Sequence, residues 1–444
     1  MTSVSVPLLL AGLACAGAGA AALLFPSRSL GRFEFLGLAF VLGFGLVGLA
    51  GIVVMLAGGS LGLHIPAVAA VAGAAVLAWR RPAFLPSSKL GLAGAGGRLL
   101  TLLAAAAAFH LAASGDDPGY DVRAFWSLKS RSLERHGTFR NPDFLSDDRP
   151  HAHPRYPLLV PTLHALVQRA AGTFDGRLLR LMMAVFYLGS LGIVSAALRS
   201  RLSADAAAVG TAVFAFIPAV LSAESGGALS GYADYPLAVF LLFAAWRADA
   251  WLRDGEGRDA AAAALGLACV SQTKLEGLPM LAVATALLGL FGILRRGWRA
   301  LPLAAAVAAP GVLLGGAWLL AARAFAPSPL EDMVWTGVHA SRLPGLLRGL
   351  GSHLLRFKDW GPLWAVAGIL AVLAPPRPRS AGSLLFWTGA LMLAAYTGIW
   401  CVKAAENASD AMRHNATRLL LQLVPVVFVW LAVRAHERSQ PRAA

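Results

Sequence analysis

About fourteen apolar runs of near membrane-crossing length follow one another along this chain, at 4–25, 33–57, 62–79, 99–114, 157–171, 178–198, 204–222, 233–252, 259–273, 277–294, 300–325, 361–375, 383–400 and 417–434. One crossing of bilayer hydrocarbon takes about 20 residues, so 444 residues arranged this way leave no room for a soluble domain. Composition agrees: 57% of residues are hydrophobic and 14% charged, where soluble domains carry about 25% charged residues. The mean hydropathy is +0.65. The expected fold is all-α, a polytopic transmembrane helical bundle of about 12–14 membrane segments with short amphipathic helices on its outer face. Runs rich in Ala, Gly and Leu suit close helix packing in lipid.

Charge orients the bundle. The 38 Lys and Arg outnumber the 23 Asp and Glu, and cytoplasmic loops of membrane proteins collect such bases. That rule accounts for the excess, so no nucleic-acid partner is implied. Arg28 and Arg32, the set Arg80, Arg81, Lys89 and Arg98, the group around Arg247, Arg253 and Arg258, the trio Arg295, Arg296 and Arg299, the pair Arg377 and Arg379, and the tail from Arg434 mark the inner loops. The stretches 115–155, 327–360 and 401–417, too polar for hydrocarbon, then face outward, with Tyr232 to Tyr235 and Lys274 to Gly277. Parity requires one of the three runs between Arg155 and Tyr232 not to cross. Run 157–171, short and holding Pro157, Pro161, His164 and Gln168, is the candidate for a re-entrant or interfacial helix. The first run lacks a basic leader and reads as a retained helix. Cys15, Cys269 and Cys401 are isolated and suggest neither disulfides nor a zinc site.

The first outer loop carries Asp116, Asp117 and Asp121. Beyond them Val122, Phe125, Trp126, Lys129 and Leu133 fall at helical spacing, which predicts an amphipathic helix lying on the outer leaflet. Asp121 at its N-terminus would stay ionised, as a general base requires; helix capping needs the same residue type. His151 and His153 form an HxH pair ahead of Arg155 and Tyr156, without a third ligand at metal-binding spacing. Tyr232-Ala233-Asp234-Tyr235-Pro236 heads another run, and an acid there is costly unless paired or wetted; a helix cap is its bland role. Lys274 and Glu276 join two runs on the same face, where Lys274 could meet a lipid phosphate or simply pair with Glu276. Arg342, Arg348, Arg356, Lys358, Lys403, Arg413 and Arg418 add outer-side cations that a bound polyanion would explain, as would contact with anionic head groups.

Taken in order, an acidic first outer loop, HPRYPLL, GYADYPL, TKLEG and a final TRLLLQLVP resemble the GT-C superfamily of membrane glycosyltransferases, which includes protein O-mannosyltransferases and lipid A aminoarabinose transferases. The resemblance runs from about Gly115 to Pro425. It implies a polyprenyl-phosphate-linked sugar donor, membrane lipid partners, and a catalytic base in the first outer loop, Asp121 with Asp117 and Asp116 in reserve. It matches Asp234 to the family's second acid, and Lys274 and Arg418, with Arg413 and Lys129, to the surroundings of the carrier phosphate. Trp126, His153, Arg155, Tyr156, Tyr232 and Glu276 are the substrate-binding candidates. No metal ligand is assigned; some members need a divalent ion, Mg2+ or Mn2+, and others none. Residues 98–435 form the expected catalytic module and 436–444 a basic tail. Residues 1–97 supply three apolar runs where many members have one, and carry no assigned role. A transporter or flippase, and a noncatalytic subunit of a glycan assembly machine, are the competing readings.

Overall fold

The computed structural model describes residues 5–25, 29–85, 90–114, 122–145, 155–325, 339–380, 382–402 and 408–439. Every apolar run forms helix, and there is no strand among the described residues. The first group is α1 (Ser5–Leu24), α2 (Arg32–Leu56), α3 (His64–Arg80) and α4 (Leu92–Ser114). A π-helical turn, Val122–Trp126, leads into α5 (Ser127–His136), followed by α6 (Pro142–Leu145), α7 (Leu159–Ala171), α8 (Gly176–Arg199), α9 (Ala204–Ala215) and α10 (Pro218–Leu221). Then come α11 (Asp234–Asp254), α12 (Gly257–Thr273), α13 (Gly277–Arg296) and α14 (Leu301–Phe325). The last group is α15 (Leu343–Leu354), α16 (Phe357–Trp360), α17 (Leu363–Leu373), α18 (Ser383–Val402), α19 (Ala408–Leu421) and α20 (Val424–Ser439).

Small residues let the first helices touch backbone to backbone. A Cβ added at Gly17 or Gly43 would run into the main chain of the facing helix at Ala39 or Leu13, and Gly37 of α2 meets Gly192 of α8 in the same way. Such contact replaces the hydrophobic drive that lipid cannot supply between helices.

The basic loops gather at one end of the bundle. There the Leu85 amide donates to the Leu30 carbonyl at 2.8 Å, and Glu34 accepts from Ser195 at 2.7 Å while pairing with Arg98 at 3.3 Å and Arg199 at 3.5 Å. Asp249 pairs with Arg295 at 3.2 Å and Arg253 at 3.4 Å, Arg247 with Asp259, and Arg434 and Arg438 donate to the carbonyls of Ala374 and Leu373. The inner loops assigned from charge are thus one surface in three dimensions.

At the opposite end the Leu61 amide donates to Gly137 at 2.6 Å, and the Arg169 guanidinium donates to the carbonyls of Leu61 and Glu134. Helix α7 begins alongside Gly48 of α2, passes Gly51 at Thr162, and returns to this end at Arg169. It dips into the bundle and comes back without crossing, and α8 makes the crossing that ends at Arg199 beside Glu34.

Among the described residues seven helices are long and apolar enough to span a membrane, or eight if α19 and α20, bent by 49° at their junction, count as one span. The number falls below the expected 12–14 for two physical reasons. Helices α3, α9, α12 and α17 are too short at 17, 12, 17 and 11 residues, and α11 carries Arg247, Asp249, Arg253 and Asp254 inside its own span. The ionised groups of α11 are tolerated because the helix is sheathed by protein along most of its length. Helix α5 also departs from expectation. Ser127, Lys129, Ser130, Ser132 and Leu133 are buried, so its apolar face packs onto the protein instead of lying on the leaflet.

Candidate functional site

Three of the motifs converge on one carboxylate at the end away from the basic loops. Helix α11 starts at Asp234, with Pro236 in its first turn where a missing N–H costs nothing. Helix α12 ends at Lys274, whose backbone is extended, and α13 restarts three residues later at Gly277. An acid at a helix N-terminus thus faces a cation at a helix C-terminus, each favoured by its own macrodipole. Lys274 Nζ donates to Asp234 Oδ1 at 2.8 Å and pairs with Glu276 at 2.9 Å. From α19, Arg418 donates to Asp234 Oδ2 through Nη2 at 2.9 Å and Nε at 3.2 Å.

Two residues that sequence reasoning did not single out complete this cluster. Gln422 Nε2 donates to Asp234 Oδ1 at 2.6 Å. Its carbonyl oxygen accepts from Tyr396 Oη of α18 at 2.5 Å, which fixes the direction in which the amide points. The sequence did carry a signal for Gln422: an amide one helical turn after Arg418 in an otherwise apolar run must find a partner in the bundle. His353 of α15 is a third addition, with Nδ1 3.4 Å from Thr417 Oγ1, next to Arg418.

Asp234 is fully buried and Lys274 nearly so, whereas the Arg418 side chain keeps 17% of its surface. The guanidinium also lies 4.6 Å from the centre of the Tyr232 ring. Asp234, expected as the second acid, is closed off from solvent and holds Lys274, Arg418 and Gln422 at once. Lys274 is paired with two carboxylates, and Arg418 is the more exposed of the two cations. Gly226, with φ +77°, turns the chain under this cluster; a Cβ there would meet Asp234 Cβ at 3.2 Å and Arg418 Cγ at 3.4 Å.

The first outer loop joins the same region. Gly231, at φ +73°, leaves room for Val122, which a Cβ would touch at 3.0 Å, and Val122, Trp126, Val160, Leu179, Tyr232 and Ala233 form a small apolar cluster with Tyr156 against it. Lys129 is buried within reach of these rings, 5.3 Å from the Tyr156 centroid and 6.0 Å from that of Trp126, and donates to the Tyr156 carbonyl at 3.3 Å. Burial holds its ammonium well below the usual lysine range. The Arg155 carbonyl accepts from Trp318 Nε1 at 2.8 Å, which ties the start of α7 to α14. Asp116, Asp117, Asp121 and His153 fall outside the described residues, and Arg413 belongs to α19. Among the described residues no three His, Cys, Asp or Glu gather as metal ligands do.

A groove of about 640 Å3 opens between α4, α9, α17 and α20, lined by Leu100, Val213, Phe216, Trp360, Val366 and Phe428 among others. Its α9 wall leads through α10 to Gly226 and Gly227, so the groove and the ionised cluster share one stretch of chain. No family model matches this chain, and no curated protein matches it.

Proposed function

We propose that this integral membrane protein transfers a sugar from a polyprenyl-phosphate donor to an acceptor at the face away from the basic loops, as the resemblance to GT-C glycosyltransferases implies. The observation that carries the reading is the convergence of GYADYP, TKLEG and TRLLLQ on Asp234. Residues 40 and 184 positions from Asp234 meet there, as parts of one site would. The apolar groove supports the lipid half of the substrate.

In this mechanism Asp121 takes the proton from an acceptor hydroxyl or amine, whose oxygen or nitrogen attacks the anomeric carbon as the bond to the phosphate oxygen breaks. The prenyl phosphate leaves with the electron pair and the anomeric centre inverts. Arg418, planar and always charged, meets the developing phosphate charge. Asp234, Lys274 and Gln422 hold that guanidinium in place. Tyr156, the partly buried ring packed against Trp126 and Tyr232, provides ring surface for the sugar.

A broken helix beside buried ions is also found in transporters, where it sits near the bilayer midplane. Here Asp234 stands a whole helix away from the basic end: α11 has 21 residues, about 30 Å at 1.5 Å per residue. A site at the end of the bundle supports the enzyme reading. The test is release of prenyl phosphate from polyprenyl-phosphate sugars by the purified protein, comparing wild type with Asp121→Asn and Arg418→Lys. Release by the wild type that Asp121→Asn abolishes and Arg418→Lys weakens is the expected result. A folded protein that releases nothing from any donor, yet moves lipid or solute across proteoliposomes, overturns it.

A further inference from the structure

At the basic end Arg98 and Arg199 are matched to Glu34, Arg253 and Arg295 to Asp249, and Arg247 to Asp259, while Arg32, Arg81, Arg299 and Arg377 have no acid partner among the described residues. On the elbow formed by α15 and α16, at the site end, Arg348, Arg356 and Lys358 have no ion-pair or hydrogen-bond partner for their side chains among the described residues. Asp359, the acid in the elbow's own sequence, pairs with none of the three.

The same elbow has two apolar faces where one would suffice for packing. Leu346, Leu350 and His353 are buried against the bundle. Leu343 and Leu347, one helical turn apart on another side, are 40% and 52% exposed, and Leu355 and Phe357 beyond the helix end are 69% exposed. Three residues after α16, α17 is made wholly of apolar residues and glycine, with Ile369 and Val372 57% and 80% exposed. The elbow therefore presents exposed apolar side chains, next in the chain to an exposed apolar helix, together with unmatched positive charge. Interfacial segments that meet anionic bilayers have this composition, with apolar side chains entering the acyl region and bases at the head groups.

We infer that the α15–α16 elbow is a docking surface for the head groups of anionic phospholipids, held by Arg348, Arg356 and Lys358 with Leu347, Leu355 and Phe357 in the acyl layer. Charge complementarity sets the occupant: a zwitterionic surface has no net negative charge, and a second copy of this elbow repels these bases. The docked elbow has a consequence for the site, because α15 carries His353 against Thr417, the neighbour of Arg418. Bound lipid thus keeps α15 seated on the helix that presents the guanidinium. The inference does not depend on the transfer reaction, and its test uses no turnover.

The experiment places a photoreactive benzophenone amino acid at position 347 of the full chain, in nanodiscs of equal parts phosphatidylcholine and phosphatidylglycerol, and weighs the lipid adducts by mass spectrometry. Adducts with phosphatidylglycerol should exceed those with phosphatidylcholine by about fivefold or more, the factor expected for even one well-placed base at a charged surface. The same probe at Leu313, an exposed position of the spanning helix α14, should give near parity. The triple variant R348Q/R356Q/K358Q should bring position 347 to parity, and about 0.5 M salt should do so without any mutation by screening the bases. Equal adducts at position 347 in the wild type at low salt would overturn the inference, as would adducts chiefly to a second copy of the protein.

Discussion

Replacing Asp234 by Asn tests whether the convergence of motifs is an electrostatic hub. The side chain is fully buried, Lys274 is 5% exposed and Arg418 17%, so the carboxylate is the counter-charge of two cations that cannot both turn to water. Removing one partner of a buried pair costs about 3–5 kcal/mol. Two features lower the figure here: Lys274 keeps Glu276 at 2.9 Å, and the Arg418 side chain is 17% exposed. The expected loss is therefore about 3 kcal/mol, at the low end of that range. Lys274→Met, which leaves Asp234 with Arg418 and Gln422, should cost less by itself. Chemical unfolding of the purified protein, followed by the fluorescence of its 12 tryptophans, gives the single and double variants. The double variant should be destabilised by at least about 1 kcal/mol less than the sum of the singles, since contacting charges couple by about 0.5–3 kcal/mol. Additive energies, or an Asp234→Asn variant as stable as the wild type, would refute the hub.

Two further outcomes follow from neighbouring residues. Tyr396→Phe removes the donor that orients the Gln422 amide and should cost about 1–2 kcal/mol, a loss that Gln422→Leu in the same chain should not deepen by its full separate amount; equal and additive losses would show that the two do not act as a unit. Lys129 binds its proton more weakly folded than unfolded, so the unfolded chain holds more protons between the two pKa values, and this residue's contribution makes stability rise with pH up to the ordinary lysine range. Lys129→Met should flatten the rise between pH 7 and 10 relative to wild type, by up to about 1.4 kcal/mol per pH unit; parallel profiles would contradict the assignment.

How much of this was legible beforehand depended on the kind of interaction. Apolar runs predicted helices because hydrocarbon demands internally satisfied backbone, and the clustering of bases predicted which loops share an end. The one parity conflict singled out α7, whose prolines and short length mark a segment that cannot cross. Spacing could not tell that α5 turns its apolar face into the protein, because an amphipathic pattern is the same whether a leaflet or a bundle covers it. Nor could it pair charges. Asp234 and Lys274 were both visible as costly residues, but that Lys274, Arg418 and Gln422 all meet a single carboxylate depends on the packing of α11, α12, α18 and α19. Tyr396 gave no sign at all, since a tyrosine in an apolar run is unremarkable until something across the helix needs its hydroxyl.

Glu34 sets a schedule for how this protein is made. Its counter-charges and its serine come from α4 and α8, and Ser195 is 161 residues further along the chain. The last partner, Arg199, is 165 residues after Glu34, so at about 5–20 residues per second of synthesis α2 waits about 8–33 s before it exists. Until then the carboxylate has to stay at the aqueous edge, and α2 cannot settle to its final depth. The three N-terminal helices are therefore packed with each other early through their glycines, but locked only when α8 arrives.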